Sequence, residues 1–74
     1  MLYIADAENH VIRRIDPDGG ALETVVGTFE PGDSEDGVPA LEAGIEHPHG
    51  IDLADDGTLL IADTYNHKIR KVTP

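Results

Sequence analysis

The hydrophobic residues of this chain come in short runs that are separated by turn-forming residues. The runs are "LYIAD", "VIRRI" and "LETVVGT" in the first part of the chain, and "GIDLA", "TLLIAD" and "KIRKV" in the last part. They are too short for helices and rich in aliphatic side chains, which is typical of buried strands. The intervening "DPDGG" at 16–20 and "DDG" at 55–57 favour tight turns. The pattern therefore predicts an all-β fold in which consecutive strands pair antiparallel.

Two segments of the chain have nearly the same sequence. Residues 2–17 and 59–74 align without a gap at a separation of 57 positions, and nine of the sixteen pairs are identical. Identity at this level indicates an internal repeat, so the chain contains about 1.3 units of that length. Repeated groups of short strands are typical of β-propeller blades, each a four-stranded antiparallel meander.

The turns inside the repeated hairpins carry "AENH" and "TYNH". Asn tolerates a positive φ better than most residues, so we expect Asn9 and Asn66 to hold that conformation. The spacing of three from Ile12 to Ile15, and the same spacing in the second copy, does not fit one face of a flat strand. It predicts strong twist or a bulge in the return strands.

A long acidic segment, residues 29–49, separates the repeated parts. The glycines, proline and acids at 29–38 predict an exposed, mobile loop. Pro39 is well placed to begin a short helical turn near 39–44. Long loops in compact repeats are often functional.

The last part of the chain resembles an NHL repeat. That motif runs as Pro-x-Gly, an apolar strand, Asp-Gly, a second apolar strand, and then Ala-Asp-x-x-Asn-His-x-Ile. Residues that match it are Pro48, Gly50, Asp56, Gly57, Ala62, Asp63, Asn66, His67 and Ile69, and the first copy matches from Ala5 through Asp6, Asn9 and His10 to Ile12. The stretch "VVGT…GDSEDGVPA" resembles the longer, bacterial variety of NHL unit. The resemblance implies a partial β-propeller.

In propeller order the chain amounts to about one and a half blades, whereas closure needs about 4–8. Residues 1–28 would form a first blade that lacks its innermost strand, 29–48 the loop between blades, and 49–74 a second blade that lacks its outermost strand. The open edges would expose unpaired backbone groups and apolar faces. We therefore expect either the remaining blades of a longer chain or copies of this chain as partners, and the first is favoured.

Net charge and composition limit the classes of binding partner that the chain could have. Fifteen acidic residues against five basic ones give a net charge of -10, which argues against binding to nucleic acid or an anionic membrane surface. No apolar run is long enough to cross a membrane, and no signal peptide is visible. The absence of cysteine excludes disulfides, so cysteine usage gives no indication of the redox compartment.

Several side chains could bind a metal ion, take part in catalysis or stabilise the turns. Asp6 and Asp63 end a strand, and we expect each carboxylate to accept backbone N–H bonds from the following turn. His10 and His67 recur with the repeat, as structural residues do. The acids of "EPGDSEDG" at 30–37 could attract calcium, but their order does not match a calcium loop.

His49, in "HPHG", occupies the variable slot between Pro48 and Gly50. The resemblance places this slot near the central channel of a propeller, with Gly50 allowing close backbone approach. In NHL-like enzymes that cleave peptidyl-hydroxyglycine, a His in a corresponding slot on several blades binds a channel metal. One such His is not a zinc site, because catalytic zinc generally has three protein ligands.

Two functions follow from these observations. The first is a binding or scaffold module that offers loops and a channel mouth to a protein or small ligand. The alternative is part of a metal-dependent propeller lyase or hydrolase with a His site in its channel. No nucleophile elbow, phosphate-binding loop or catalytic carboxylate pair is recognisable, so the first is favoured.

Overall fold

Two antiparallel sheets of three strands each make up the chain in the computed structural model, which describes residues 2–73. The first sheet consists of β1 (Leu2–Asp6), β2 (Val11–Ile15) and β3 (Leu22–Gly27), and the second of β4 (Pro48–Leu53), β5 (Leu59–Asp63) and β6 (Lys68–Val72). Strand order follows chain order in both sheets, which confirms the predicted all-β meander. The first strand of the second sheet begins at Pro48, two residues before the run "GIDLA" that predicts it. Residues 1 and 74, which the predicted segments 1–28 and 49–74 include, lie outside the described part.

Helical structure between residues 2 and 73 is limited to three-residue 3-10 turns at Ala7–Asn9, Ala40–Glu42 and Thr64–Asn66. The second of them is the short helical turn predicted near 39–44, and Pro39 precedes it as expected. No helix in this part of the chain is long and apolar enough to cross a membrane.

The two repeated hairpins have the same register. Leu2 lies opposite Ile15 in the first, and Leu59 lies opposite Val72 in the second. In both, a 3-10 turn leads into a left-handed residue, and that residue is His10 (φ 60°) or His67 (φ 58°). The expectation that Asn9 and Asn66 hold the positive φ is therefore wrong. Each Asn ends the 3-10 turn, and the following His, a residue type enriched in this conformation, closes it.

A bulge lies between β2 and β3, but its extra residue is on β3, so the prediction of a bulge in the return strands β2 and β6 is wrong. Ile12 pairs with Val26 and Arg13 with Thr24, so Val25 has no partner across the strands. The pairing of β2 with β1 is regular, and so is that of β6 with β5. Ile12 and Ile15 therefore lie on opposite faces of the sheet.

The core lies between the two sheets. The first sheet contributes the face that carries Ile12 and Val26, and the second sheet the face that carries Leu59 and Ile61. Ile45, from the loop before β4, fills the space between them and is fully buried. Tyr3, Ala5, Ile51 and Val72 surround this cluster. The opposite faces of both sheets do not take part in the core, and this leaves two open surfaces.

The loop between the sheets runs alongside the strand segment that leads into β4. Pro31 and Ile45 form a parallel bridge, and the N–H of Gly32 donates to the carbonyl of Ile45 at 3.2 Å. A Cβ at Gly44 would lie 3.0 Å from the Cα of Gly32, which is tighter than an ordinary contact, so glycine favours the close approach of these two backbones. The close contact fixes residues 32–34 beside the second hairpin.

Candidate functional site

Each repeated hairpin carries an Asp, an Asn and an Arg at corresponding positions. The Asp ends the first strand, the Asn ends the 3-10 turn three residues later, and the Arg lies in the return strand. We call Asp6, Asn9 and Arg13 the first triad, and Asp63, Asn66 and Arg70 the second triad. In the second hairpin, Asp63 and Arg70 lie on the same face, because Arg70 is directly opposite Ile61, two residues before Asp63.

Asp63 is fully buried and accepts three hydrogen bonds. Its Oδ1 accepts from the backbone N–H of Glu46 at 2.8 Å, and its Oδ2 from Nδ2 of Asn66 at 2.9 Å and Nε of Arg70 at 2.5 Å. A buried carboxylate needs such pairing, because its desolvation is costly. The prediction of a cap on the backbone N–H groups of the following turn is wrong for Asp6 and Asp63 alike, since neither side chain makes that bond.

The second triad also holds the acidic loop. Asn66 donates from Nδ2 to the carbonyl of Gly32 at 2.7 Å, and Arg70 donates from Nη1 to the carbonyl of Ser34 at 2.9 Å. The carboxylate of Asp33 accepts from Nη2 of Arg70 and from Nζ of Lys68, both at 2.7 Å. These contacts attach residues 32–34 to the second hairpin.

The loop is therefore less free than its composition suggested. Residues 29–31 and 35–38 are exposed, as expected, whereas Gly32 and Ser34 are half-buried. The hydrogen bond from Lys68, together with the nearby charge of Arg70, lowers the pKa of Asp33 below its usual value. Asp33 is thus engaged by two cationic side chains, and within residues 2–73 no three His, Cys, Asp or Glu side chains are placed to hold a metal ion.

The first triad is more open than the second. Asn9 donates from Nδ2 to Oδ2 of Asp6 at 3.0 Å, and Nη1 of Arg13 lies 3.6 Å from the same oxygen. The side chains of Asp6 and Arg13 are 27% and 28% exposed. The Nε of Arg13 is buried without a hydrogen-bond partner, and its guanidinium lies 5.7 Å from the ring centre of Phe29.

Aromatic side chains meet where the two sheets approach each other. The ring of His47 stacks on Tyr65 at 4.2 Å, and His10 contacts it edge-on at 4.6 Å. Nδ1 of His10 accepts from the backbone N–H of His47 at 3.1 Å. This contact supports the expected structural role of His10. His67, in contrast, is exposed.

His49 lies at the edge of this group. It is exposed, and its ring centre is 6.3 Å from that of His47 and 6.0 Å from that of Tyr65. Pro48 is buried and opposite Asp63. A Cβ at Gly50 would meet only the Cβ of Ala62, at 3.6 Å, so no close backbone approach requires glycine there among the described residues. The assignment of a metal ligand to His49 stays a prediction.

Sequence reasoning missed the roles of four charged residues in these contacts, namely Arg13, Arg70, Asp33 and Lys68. Arg13 and Arg70 are identical at the repeat separation, so the repeat itself could have identified them. Asp33 had no such signal, because its partners Lys68 and Arg70 are 35 and 37 residues away in sequence.

Comparisons with known proteins agree with this architecture. The NHL repeat family profile matches residues 46–72, which include all three strands of the second sheet. The chain is 40% identical over 80 residues to the protein SUPPRESSOR OF QUENCHING 1, chloroplastic, of Arabidopsis thaliana, and the match covers 97% of this chain and 7% of that protein. It is 37% identical over 81 residues to NHL repeat-containing protein 2 of Bos taurus and of Homo sapiens, with 99% of this chain and 11% of each relative covered.

The chain thus spans about a tenth or less of the length of these curated relatives. NHL repeats generally mediate protein interactions or scaffolding. The profile match, the identities along almost the whole chain and the two equivalent hairpins show that this chain belongs to the NHL-repeat family.

Proposed function

We propose that the chain is a binding or scaffold module whose two open sheet faces assemble with neighbouring units, and whose loops are presented to a protein or small ligand. The neighbouring units are the remaining blades of a longer chain or further copies of this one. In this interpretation residues 1–28 are a first blade without its innermost strand, 29–48 the loop between blades, and 49–74 a second blade without its outermost strand.

The observation that carries this proposal is a difference in burial between equivalent residues. Ile12 is 0% exposed, whereas Ile69, its counterpart in the second copy, is 70% exposed. Leu59 is 5% exposed, whereas its counterpart Leu2 is 60% exposed. The first sheet therefore buries its Ile12 face and leaves its Leu2 face open. The second sheet buries its Leu59 face and leaves its Ile69 face open.

This complementarity points to a head-to-tail arrangement. The Ile12 face of the first sheet packs on the Leu59 face of the second. By the same geometry, the Ile69 face of the second sheet would receive the Leu2 face of another unit. Such a contact joins two different surfaces, so it can extend from unit to unit and form a ring if the rotation closes.

The pairing pattern supports the assignment of missing strands. β5 lies between β4 and β6, whereas its counterpart β1 pairs only with β2 among the described residues. β2 lies between β1 and β3, whereas its counterpart β6 pairs only with β5. Within residues 2–73, the first sheet has no equivalent of β4 and the second none of β3. Open strand edges readily pair with further chains.

Sedimentation analysis of the 74-residue chain, over a range of protein and salt concentrations, tests the proposal. We expect association that grows with salt, because the net charge of -10 repels copies at low ionic strength. Ile69→Asp should abolish it, since a charge would then lie in the open face.

Leu41→Asp is the matched control. Leu41 is 59% exposed in the 3-10 turn at Ala40–Glu42 and belongs to neither sheet. Its substitution adds the same charge and should leave association unchanged. A folded chain that stays monomeric at every concentration, or equal effects of the two substitutions, would contradict the proposal.

A further inference from the structure

We infer that the first triad is a binding site for an acidic loop segment of the Gly-Asp-Ser type, supplied by a partner chain or a neighbouring repeat unit. The inference deepens the proposed function by naming a partner chemistry, and it concerns polar groups at the hairpin turn and not the apolar sheet faces. It depends on the equivalence of the two hairpins, which share sequence and register.

The second triad provides the template, because such a segment already occupies it. Two carbonyl oxygens, of Gly32 and Ser34, accept from Asn66 and Arg70, and the carboxylate of Asp33 lies 2.7 Å from Nη2 of Arg70. One backbone N–H, of Glu46, donates to Asp63 at 2.8 Å. The chemistry recognised in the loop itself is thus two carbonyls and one carboxylate, all within residues 32–34.

The first triad has the same groups without these bonds. Within residues 2–73, the carboxylate of Asp6 meets only Asn9 and Arg13, and Asn9 makes no bond to a loop carbonyl. The Nε of Arg13 is buried and unpaired, whereas the Nε of Arg70 donates to Asp63 at 2.5 Å. Buried donors are nearly always paired in folded proteins, so the arrangement of Arg13 lacks a bond that Arg70 makes at the occupied triad.

A bound loop would supply the missing acceptors. Its carboxylate and one carbonyl would accept from the guanidinium of Arg13, and a second carbonyl would accept from Asn9. The guanidinium would leave the ring of Phe29 and turn its Nε toward Asp6, as Arg70 does toward Asp63. Arginine suits this role, because its planar donors match a carboxylate and a neighbouring carbonyl together.

One difference between the hairpins limits the affinity. Lys68, which also bonds the carboxylate of Asp33, corresponds to Val11 in the first hairpin. A single cation would therefore face the ligand carboxylate at the first triad. We therefore expect a free peptide to bind weakly. A tethered loop would still occupy the site, because tethering raises its effective concentration.

The experiment uses the full chain and a synthetic peptide with the sequence of residues 29–36, "FEPGDSED". The second triad is occupied by the tethered loop, so free peptide should reach only the first. Nuclear magnetic resonance titration with up to millimolar peptide should shift the side-chain signals of Asn9 and of Nε of Arg13. The signals of Asn66 and Arg70 should stay unchanged.

Two changes should weaken binding about tenfold or more. One is the replacement of the peptide Asp that corresponds to Asp33 by Asn, which removes the carboxylate. The other is Arg13→Lys, which keeps the charge and the fold but loses the planar set of donors. Arg13→Ala should abolish binding, and the variants' backbone spectra show whether they are folded.

Three outcomes would overturn the inference: no shift at millimolar peptide, shifts centred on Asn66 and Arg70, or binding unaffected by Arg13→Lys. Sedimentation of the same samples distinguishes this failure from failure of the proposed function. If peptide binding is absent while association through the sheet faces persists, only the loop-binding site is wrong.

Discussion

Asp63 and Arg70 form an ion pair in which the carboxylate is fully buried and the guanidinium is 11% exposed, with Oδ2 and Nε 2.5 Å apart. Their counterparts Asp6 and Arg13 are both about a quarter exposed and 3.6 Å apart. The chain therefore contains the same pair in a buried and a partly exposed setting. Because the two settings share sequence and register, each substitution in one has a matched control in the other.

Replacement of the buried carboxylate should be far more damaging than replacement of its exposed counterpart. Asp63→Ala removes a buried acceptor of three hydrogen bonds and leaves Nε of Arg70 and the N–H of Glu46 unpaired. We expect a loss of about 3–5 kcal/mol in the free energy of unfolding. Asp6→Ala should cost about 1 kcal/mol or less, as partly exposed pairs do. Urea unfolding followed by circular dichroism measures both.

Asp63→Asn keeps the shape of the side chain and the acceptor for the N–H of Glu46, and it provides a milder variant if Asp63→Ala does not fold. Equal losses at positions 6 and 63 would show that burial of Asp63 does not decide the stability of the second hairpin.

The two equivalent isoleucines make a second matched pair. Ile12→Ala removes a fully buried side chain from the core and should cost about 2–5 kcal/mol. Ile69→Ala changes a side chain that is 70% exposed and should cost about 0.5 kcal/mol or less in dilute, monomeric chain. Thermal unfolding at low protein concentration compares them. A large loss from Ile69→Ala under these conditions would mean that the open face is already covered within the monomer.

The contacts of Lys68 and Arg70 with Asp33 should weaken as Asp33 takes up a proton. The hydrogen bond from Lys68 lowers the pKa of Asp33 in the folded chain. The contribution of this contact to the free energy of unfolding is therefore present above the unfolded-state pKa of Asp33, and it is lost as pH falls through the folded-state pKa. Lys68→Ala should raise the pKa of Asp33 toward that of a free aspartate. Carboxyl nuclear magnetic resonance during a pH titration measures this shift.

Asp56 serves as the internal control for that titration. Its pKa is also lowered, but by the backbone N–H of Thr58, which donates to Oδ1 at 2.9 Å. Lys68→Ala should therefore leave the pKa of Asp56 unchanged. If the pKa of Asp33 does not move, the contact between Lys68 and the loop does not form in solution.

The strands and hairpins could be predicted from sequence because their signals are local. The short aliphatic runs between turn residues define β1, β2 and β5, and the repeat requires that the two hairpins fold alike. The prediction for Asn9 and Asn66 fails for a local reason as well. The amide group of each Asn bonds the Asp three residues earlier, and the following His takes the positive φ.

The attachment of the acidic loop could not be predicted in the same way. Asn66 and Arg70 bond residues that are 34 and 36 positions away, at Gly32 and Ser34, and both acceptors are backbone carbonyls. A carbonyl is present at every residue, so no side-chain pattern marks the ones that are used. The contact depends on how the two sheets pack, which brings the loop back to the second hairpin.

His49 and His47 are close in sequence but should contribute differently to stability. His49 is exposed, so His49→Ala should change the free energy of unfolding by about 0.5 kcal/mol or less. His47 stacks on Tyr65 and packs against His10, so His47→Ala should cost about 1 kcal/mol from lost aromatic contact. Urea unfolding compares the two. If His49 instead binds zinc together with other blades, His49→Ala should lower the metal content of the full-length protein without a loss of stability in this chain. A destabilising His49→Ala would mean that the side chain packs in the fold, and this would remove the basis for its assignment to an open channel rim.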